Sequence, residues 1–268
     1  MRQNTDKRQN TALKQKLKKA CTFAALWIPF AAIGGYFTGK YAYASYTAEV
    51  QQMILQQLGS VQILAIVSMV QSVIYAVICA IIGYLLADAL GLMRPVRLEK
   101  QKLFKTIAIT AICGALFSLD YWVFGKVIPQ VAESYQSGLL VRNADNWIAS
   151  VFYGGVVEEL LLRLFFMSLV AYIVWKGFFR KYEKEQIPTG VFVFANVFSA
   201  LIFAAGHLPA TISMFGGLNV WILIRCFLLN GGLGMVFGHL YKKYGIQYAF
   251  IAHAGAHTIS KIIWILFL

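Results

Sequence analysis

The stretch VQILAIVSMVQSVIYAVICAIIGYLLA, residues 61–87, holds no charged side chain. A run of about 18 apolar residues is already long enough to cross the roughly 30 Å hydrocarbon layer of a bilayer. This stretch therefore reads as a transmembrane helix. Outward from it lie six further apolar runs, at about 20–38, 104–126, 146–175, 190–208, 219–240 and 246–268. Hydrophobic residues make up 59% of the 268-residue chain and charged residues 13%. A soluble domain carries about twice that charged share. The expected fold is all-α, a polytopic membrane protein of about seven transmembrane helices.

The net charge is +13, and its placement argues against nucleic acid as a partner. Lys7, Arg8, Lys14, Lys16, Lys18 and Lys19 crowd the N-terminal tail. The loops near 88–105, 176–187 and 241–245 are also basic, whereas those near 39–60, 127–145 and 208–218 are not. Lys and Arg favour cytoplasmic loops, so the N-terminus is expected in the cytoplasm and the C-terminus outside. Residues 1–19 read as a basic tail, either solvated or lying as a surface helix on anionic lipid. Residues 20–268 read as a single transmembrane domain. The segment Leu208–Leu218, with Pro209, Gly216 and Gly217, is the best candidate for a broken span. Cys21, Cys79, Cys113 and Cys226 lie in or beside apolar runs without CxxC spacing. They read as small buried hydrophobes rather than disulfides or a metal cluster. No removable signal peptide is expected.

Charged groups inside a span are costly and are usually functional or paired. The run at 146–175 carries Glu158, Glu159 and Arg163 near its centre. Glu159 and Arg163 stand at helical i, i+4 spacing and can form an ion pair. That pair accounts for one carboxylate and leaves Glu158 free to face a cavity. Three of the four histidines sit in apolar runs with companion residues at one-turn spacing: His207 at the end of the fifth, four residues after Phe203, and His253 and His257 one turn apart in the seventh. A lone histidine in a span can simply hydrogen-bond a neighbouring helix. Three of them with an acidic pair read better as one polar cluster. His239, beside Tyr241, Lys242 and Lys243, reads as interfacial. Asp88 and Asp120 read as interfacial too, and Arg225 can pair with a carboxylate or with a lipid headgroup.

Three motifs follow one another in the chain. Glu158 to Arg163 reads EExxxR, and Phe203 to His207 reads FxxxH. Gly234, Gly238, Tyr241 and Gly245 read GxxxGxxYxxxG ahead of His253. EExxxR alone is a weak signal, but the ordered set on successive apolar runs is a strong one. Together they resemble the CAAX prenyl-endopeptidase and bacteriocin-processing (CPBP, or Abi) family of membrane proteases, over about residues 146–268. The resemblance implies a helical membrane fold around a polar cavity and peptide-bond hydrolysis by a glutamate-activated water. It implies Glu158 as general base, assisted by Glu159 and His207, with Arg163 holding Glu159 and His253 helping to stabilise the oxyanion. The family usually has Asn, sometimes Asp, four residues after that last histidine; this chain has His257.

The chemistry is consistent with that assignment. Water is a poor nucleophile, so hydrolysis needs a nearby base and donors where the oxyanion develops. Glu158 and His207 can share the water, and His253 and His257 can face the oxyanion. No GxSxG or catalytic cysteine setting is present. The expected activity is that of an intramembrane endopeptidase with no cofactor, acting on a hydrophobic or lipidated peptide or a membrane-protein substrate among membrane lipids. A metalloprotease with Glu158, His207, His253 and His257 as zinc ligands is the runner-up, though HExxH is absent. A non-enzymatic scaffold or bacteriocin self-immunity factor would keep the fold without the chemistry. A transporter using Glu158 as an ion site has less support, because no broken helices recur in two halves.

Overall fold

A computed structural model describes residues 2–268, with side chains from Asn10 onward. The first residue of the basic tail, and the side chains of Lys7 and Arg8, lie outside the described residues. The described residues are helical and contain no strand. Helix α1 (Arg2–Ser45) is followed by α2 (Ala48–Leu58), α3 (Val61–Ala89), α4 (Lys100–Ser118), α5 (Asp120–Phe124) and α6 (Pro129–Gln136). The continuous helical stretch 144–178 is α7. Then come α8 (Thr189–Gly206), α9 (Leu208–Phe215), α10 (Val220–Tyr244) and α11 (Ile246–Phe267).

Among the described residues, six helices are long and apolar enough to cross a membrane. The run at 146–175 lies within α7, which carries Glu158, Glu159 and Arg163 and contains wide π-helical turns. All seven apolar runs thus sit on long helices. The basic tail is no separate element, because α1 continues through it as one helix of 44 residues. At 1.5 Å per residue that is about 66 Å, twice the hydrocarbon thickness. Pro29 stands inside α1. Lys16 pairs with Asp88 at the end of α3 at 2.8 Å, both side chains exposed, so Asp88 reaches water as its position predicts.

The packing is that of a membrane protein. On α3 the outward residues are bulky: Ile63, Ile66, Val67, Val70, Ile74 and Ile78 are all exposed. The inward ones are small: Ala65, Ser72, Ala76, Ala80, Gly83 and Ala87. Lipid gives helices no hydrophobic reason to associate, so close backbone approach through small residues takes that part. The same device brings α11 onto α7. A Cβ on Gly155 would lie 2.5 Å from the Cβ of Ala254, which leaves room for glycine alone.

Two further polar contacts fix the ends. Asp120 is buried, not interfacial. Arg225 donates from Nε to its Oδ1 at 2.7 Å and from Nη2 to its Oδ2, and the Tyr135 hydroxyl donates to it at 2.7 Å. The planar guanidinium matches a carboxylate fork, and this decides Arg225's partner in favour of a carboxylate. On the opposite side, Gln247 at the start of α11 donates to the carbonyls of Pro95 and Arg97, and the backbone N–H of Glu99 donates to the Tyr248 hydroxyl. These bonds tie the loop between α3 and α4 to the helix that carries His253 and His257.

Candidate active site

Glu158 and Glu159 lie where α7 is widened. Its segments Ser150–Glu158 and Leu160–Met167 are π-helical, a departure from α-geometry that is frequent at functional sites. The two carboxylates have different surroundings. Glu159 is fully buried. Its Oε1 receives His253 Nδ1 at 2.8 Å and faces Arg163 Nη1 at 3.0 Å. Glu158 retains 17% side-chain exposure, and its carboxylate makes no hydrogen bond among the described residues; its Oε1 is 3.9 Å from His207 Nε2 and its Oε2 is 3.9 Å from His253 Nε2.

Arg163 is held from three directions. Besides Glu159, it donates from Nη2 to the Gly234 carbonyl at 3.0 Å, and its guanidinium lies 4.8 Å over the ring of Phe203. Gly234 is required here by space, because a Cβ there would stand 2.8 Å from Nη2. The motif's tyrosine has a comparable part: the hydroxyls of Tyr241 and Ser168 share a hydrogen bond at 2.7 Å between α10 and α7.

His207 caps the C-terminus of α8, and α9 begins at once with Pro209 in its first turn. Proline lacks the N–H that would continue α8, so the chain breaks at the histidine. The span as a whole runs Thr189–Phe215. His207 is therefore interior to the span and not at its end as the apolar run alone indicates. That places it level with Glu158. The break predicted at 208–218 begins one residue earlier.

His253 and His257 stack on one face of α11 with ring centroids 5.1 Å apart, and Phe237 stacks on the other side of His253 at 4.6 Å. His257 Nδ1 is buried without a hydrogen-bond partner. Glu158, His207, His253 and His257 all line one cavity of about 240 Å³. All six residues singled out in the sequence thus converge.

Three residues that sequence reasoning passed over belong to the same place. Asn230, in the π-helical turn Phe227–Gly232 of α10, lines this cavity and the adjoining crevice against His253 and His257. Ser150 lines the cavity as well, and Lys261 donates to its hydroxyl at 3.1 Å. The rule that drew attention to Arg225 applies equally to Lys261, a charge within an apolar run. Asn230 carries no such signal, being one uncharged polar residue among many.

The tautomers follow from the acceptors. His207 Nδ1 contacts the Phe203 carbonyl at 2.9 Å, and His253 Nδ1 contacts a carboxylate. Both partners only accept, so both hydrogens sit on Nδ1. In the neutral rings each Nε2 then presents a lone pair towards Glu158.

A zinc ion with ligands at 2.0–2.1 Å in a tetrahedron would bring neighbouring donor atoms to about 3.3 Å. The 3.9 Å separations here are wider. Among the described residues no group of three or more His, Cys, Asp or Glu side chains is gathered to hold a metal. The donor set does not fit zinc as it stands.

Fold and site define a multi-pass α-helical membrane protein with a glutamate–histidine centre inside the helix bundle. Residues 142–259 match the family described as type II CAAX prenyl endopeptidase Rce1-like. This part of the chain, which holds the whole site, is similar to that family of CAAX-type membrane proteases. No curated protein and no solved structure matches the chain.

Proposed function

We propose that this protein is an intramembrane endopeptidase that hydrolyses a peptide bond of a hydrophobic or membrane-associated substrate with a water activated by Glu158. The observation that carries this reading is the pair of 3.9 Å gaps between Glu158 and the two Nε2 atoms. Such a gap is too long for a direct hydrogen bond, yet a water at about 2.8 Å from both atoms fits it. The atoms on either side of these gaps accept hydrogens: the Glu158 oxygens and two imidazole lone pairs. A water there is held by its own two hydrogens with its oxygen lone pairs free, which is the orientation of a nucleophile. Glu158 takes the proton as the water attacks and returns it to the leaving amine. Arg163 pairs with Glu159, and Glu159 fixes the ring of His253.

The same acceptors cannot stabilise an oxyanion. Within this reading the donors are His257 and Asn230. The Asn230 amide gives one hydrogen to the Cys226 carbonyl at 3.0 Å and approaches the Cys226 sulfur at 3.6 Å. Sulfur is a weak acceptor that readily releases the other hydrogen. His257, where relatives usually carry Asn, therefore does not leave the site without an amide. Asn230→Ala is expected to lower kcat by roughly 10²–10³-fold with KM little changed, the loss typical of one oxyanion donor. Steady-state kinetics on a cleaved peptide check this. A fall in kcat under threefold would remove Asn230 from the mechanism.

Under this proposal the N-terminus lies in the cytoplasm, which the basic loops support, and residues 20–268 act as one transmembrane domain with its catalytic core at about 146–268. The test is cleavage of a hydrophobic peptide library by the purified protein in detergent, with and without a strong chelator. Cleavage that survives chelation is the expected result. Loss of cleavage on chelation, restored by zinc, would replace the glutamate mechanism with a metal-dependent one. No cleavage under any condition would favour the scaffold or immunity role.

A further inference from the structure

Lys261 has no part in the mechanism above, and its setting is unusual. It stands on α11 one turn beyond His257 and two turns beyond His253, on the same face. It is buried, at 3% exposure. Its ammonium group has one hydrogen-bond partner among the described residues, the Ser150 hydroxyl at 3.1 Å, and no carboxylate within ion-pair distance. Its other neighbour is the Trp264 ring, whose centroid is 5.9 Å away. Arg163, also buried, and Arg225, half-buried, each have a carboxylate. Lysines within spans normally pair or snorkel to the interface. Lys261 does neither, and the hydroxyl it touches lines the cavity that holds Glu158, His207 and His253.

We propose that Lys261 and Ser150 form an anion subsite that binds a carboxylate of the peptide substrate on one side of the cleaved bond. The proposal rests on the endopeptidase reading and adds to it a substrate of defined charge. A carboxylate entering beside Ser150 supplies the countercharge that the fold withholds from Lys261. It also accepts the Ser150 hydroxyl, which now donates to the Asn146 carbonyl at 2.7 Å. The apolar cavity walls make such a pair stronger than it would be in water. The carboxylate can be the peptide's own C-terminus or an Asp or Glu side chain, since the chemistry is shared.

The experiment measures binding to the full chain in detergent, with Glu158→Gln to prevent turnover, by titration calorimetry. Three versions of one hydrophobic peptide are compared: free C-terminal acid, C-terminal amide, and amide with a single Asp near that end. The acid, the Asp-amide or both are expected to bind roughly tenfold or more tightly than the plain amide, the margin of a charge-assisted hydrogen bond. Preference for the acid identifies the C-terminus as the ligand; preference for the Asp-amide identifies a side chain. Lys261→Met, which keeps the length and apolar stem, should bring the anionic peptides down to the affinity of the amide. Lys261→Arg should keep the preference. Equal binding of all three peptides, or a preference that survives Lys261→Met, overturns the proposal. Cleavage of the amide by the wild-type protein in that event would leave the endopeptidase reading standing.

Discussion

Replacing Glu158 with Gln is expected to lower peptide cleavage by roughly 10²–10⁴-fold in kcat, the usual contribution of a positioned general base. The substitution keeps the shape of the side chain and removes its basicity. Stability should be nearly unaffected, for a structural reason. Glu158 is part-exposed to the cavity and stands 3.9 Å from either histidine, so no direct hydrogen bond is lost. A change of within about 0.5 kcal/mol in unfolding is typical of such a site. Cleavage kinetics and thermal unfolding in detergent, measured on the same preparation, check both halves. Retention of more than a tenth of the activity would exclude Glu158 as the base and return attention to His207.

Its neighbour should behave in the opposite way. Arg163→Ala is expected to destabilise the protein by about 3–5 kcal/mol, the cost of leaving one partner of a buried ion pair uncompensated. Glu159 is fully buried, and its Oε2 already lacks a hydrogen-bond partner. With Arg163 removed, His253 alone would face that charge. The Gly234 carbonyl would lose its donor, and Phe203 would lose the cation over its ring. A double variant, Arg163→Met with Glu159→Gln, removes the charge together with its partner. It should recover much of the loss, because apolar replacement of a buried pair is often neutral. The two variants are compared by thermal unfolding in detergent. Equal stability of Arg163→Ala and wild type would mean that the Glu159–Arg163 pair contributes nothing to stability. Under the proposed mechanism the adjacent glutamates have separate parts, Glu158 in the chemistry and Glu159 in the structure.

The sequence by itself determined the membrane fold. Seven apolar runs became long helices with ends shifted by a few residues, because length and apolarity alone decide whether a segment can satisfy its backbone inside lipid. It also determined which residues are anomalous there. Glu158, Glu159, Arg163, His207, His253 and His257 stand out because charge and imidazole are costly in hydrocarbon wherever they occur. Even the Glu159–Arg163 pair was legible, since i, i+4 spacing is local. The resemblance to CAAX-type proteases rested on those same residues.

What the tertiary structure alone decided is how they meet. Depth along one run placed His207 at the end of its span, and only the helix broken at Pro209 moves it inward to Glu158. Arg225 had two possible classes of partner, and the packing of α10 against α5 chose Asp120. The tautomers of His207 and His253 follow from a carbonyl and a carboxylate that no spacing rule reaches. Asn230 is an ordinary letter in its run, and Lys261 is an anomalous charge whose partner the sequence does not name; each gains meaning from a neighbour 27 or 111 positions distant, His257 and Ser150. The reason is physical. Transfer into lipid is a property of each segment, additive along the chain, whereas a catalytic site is a set of distances between segments that only their packing fixes.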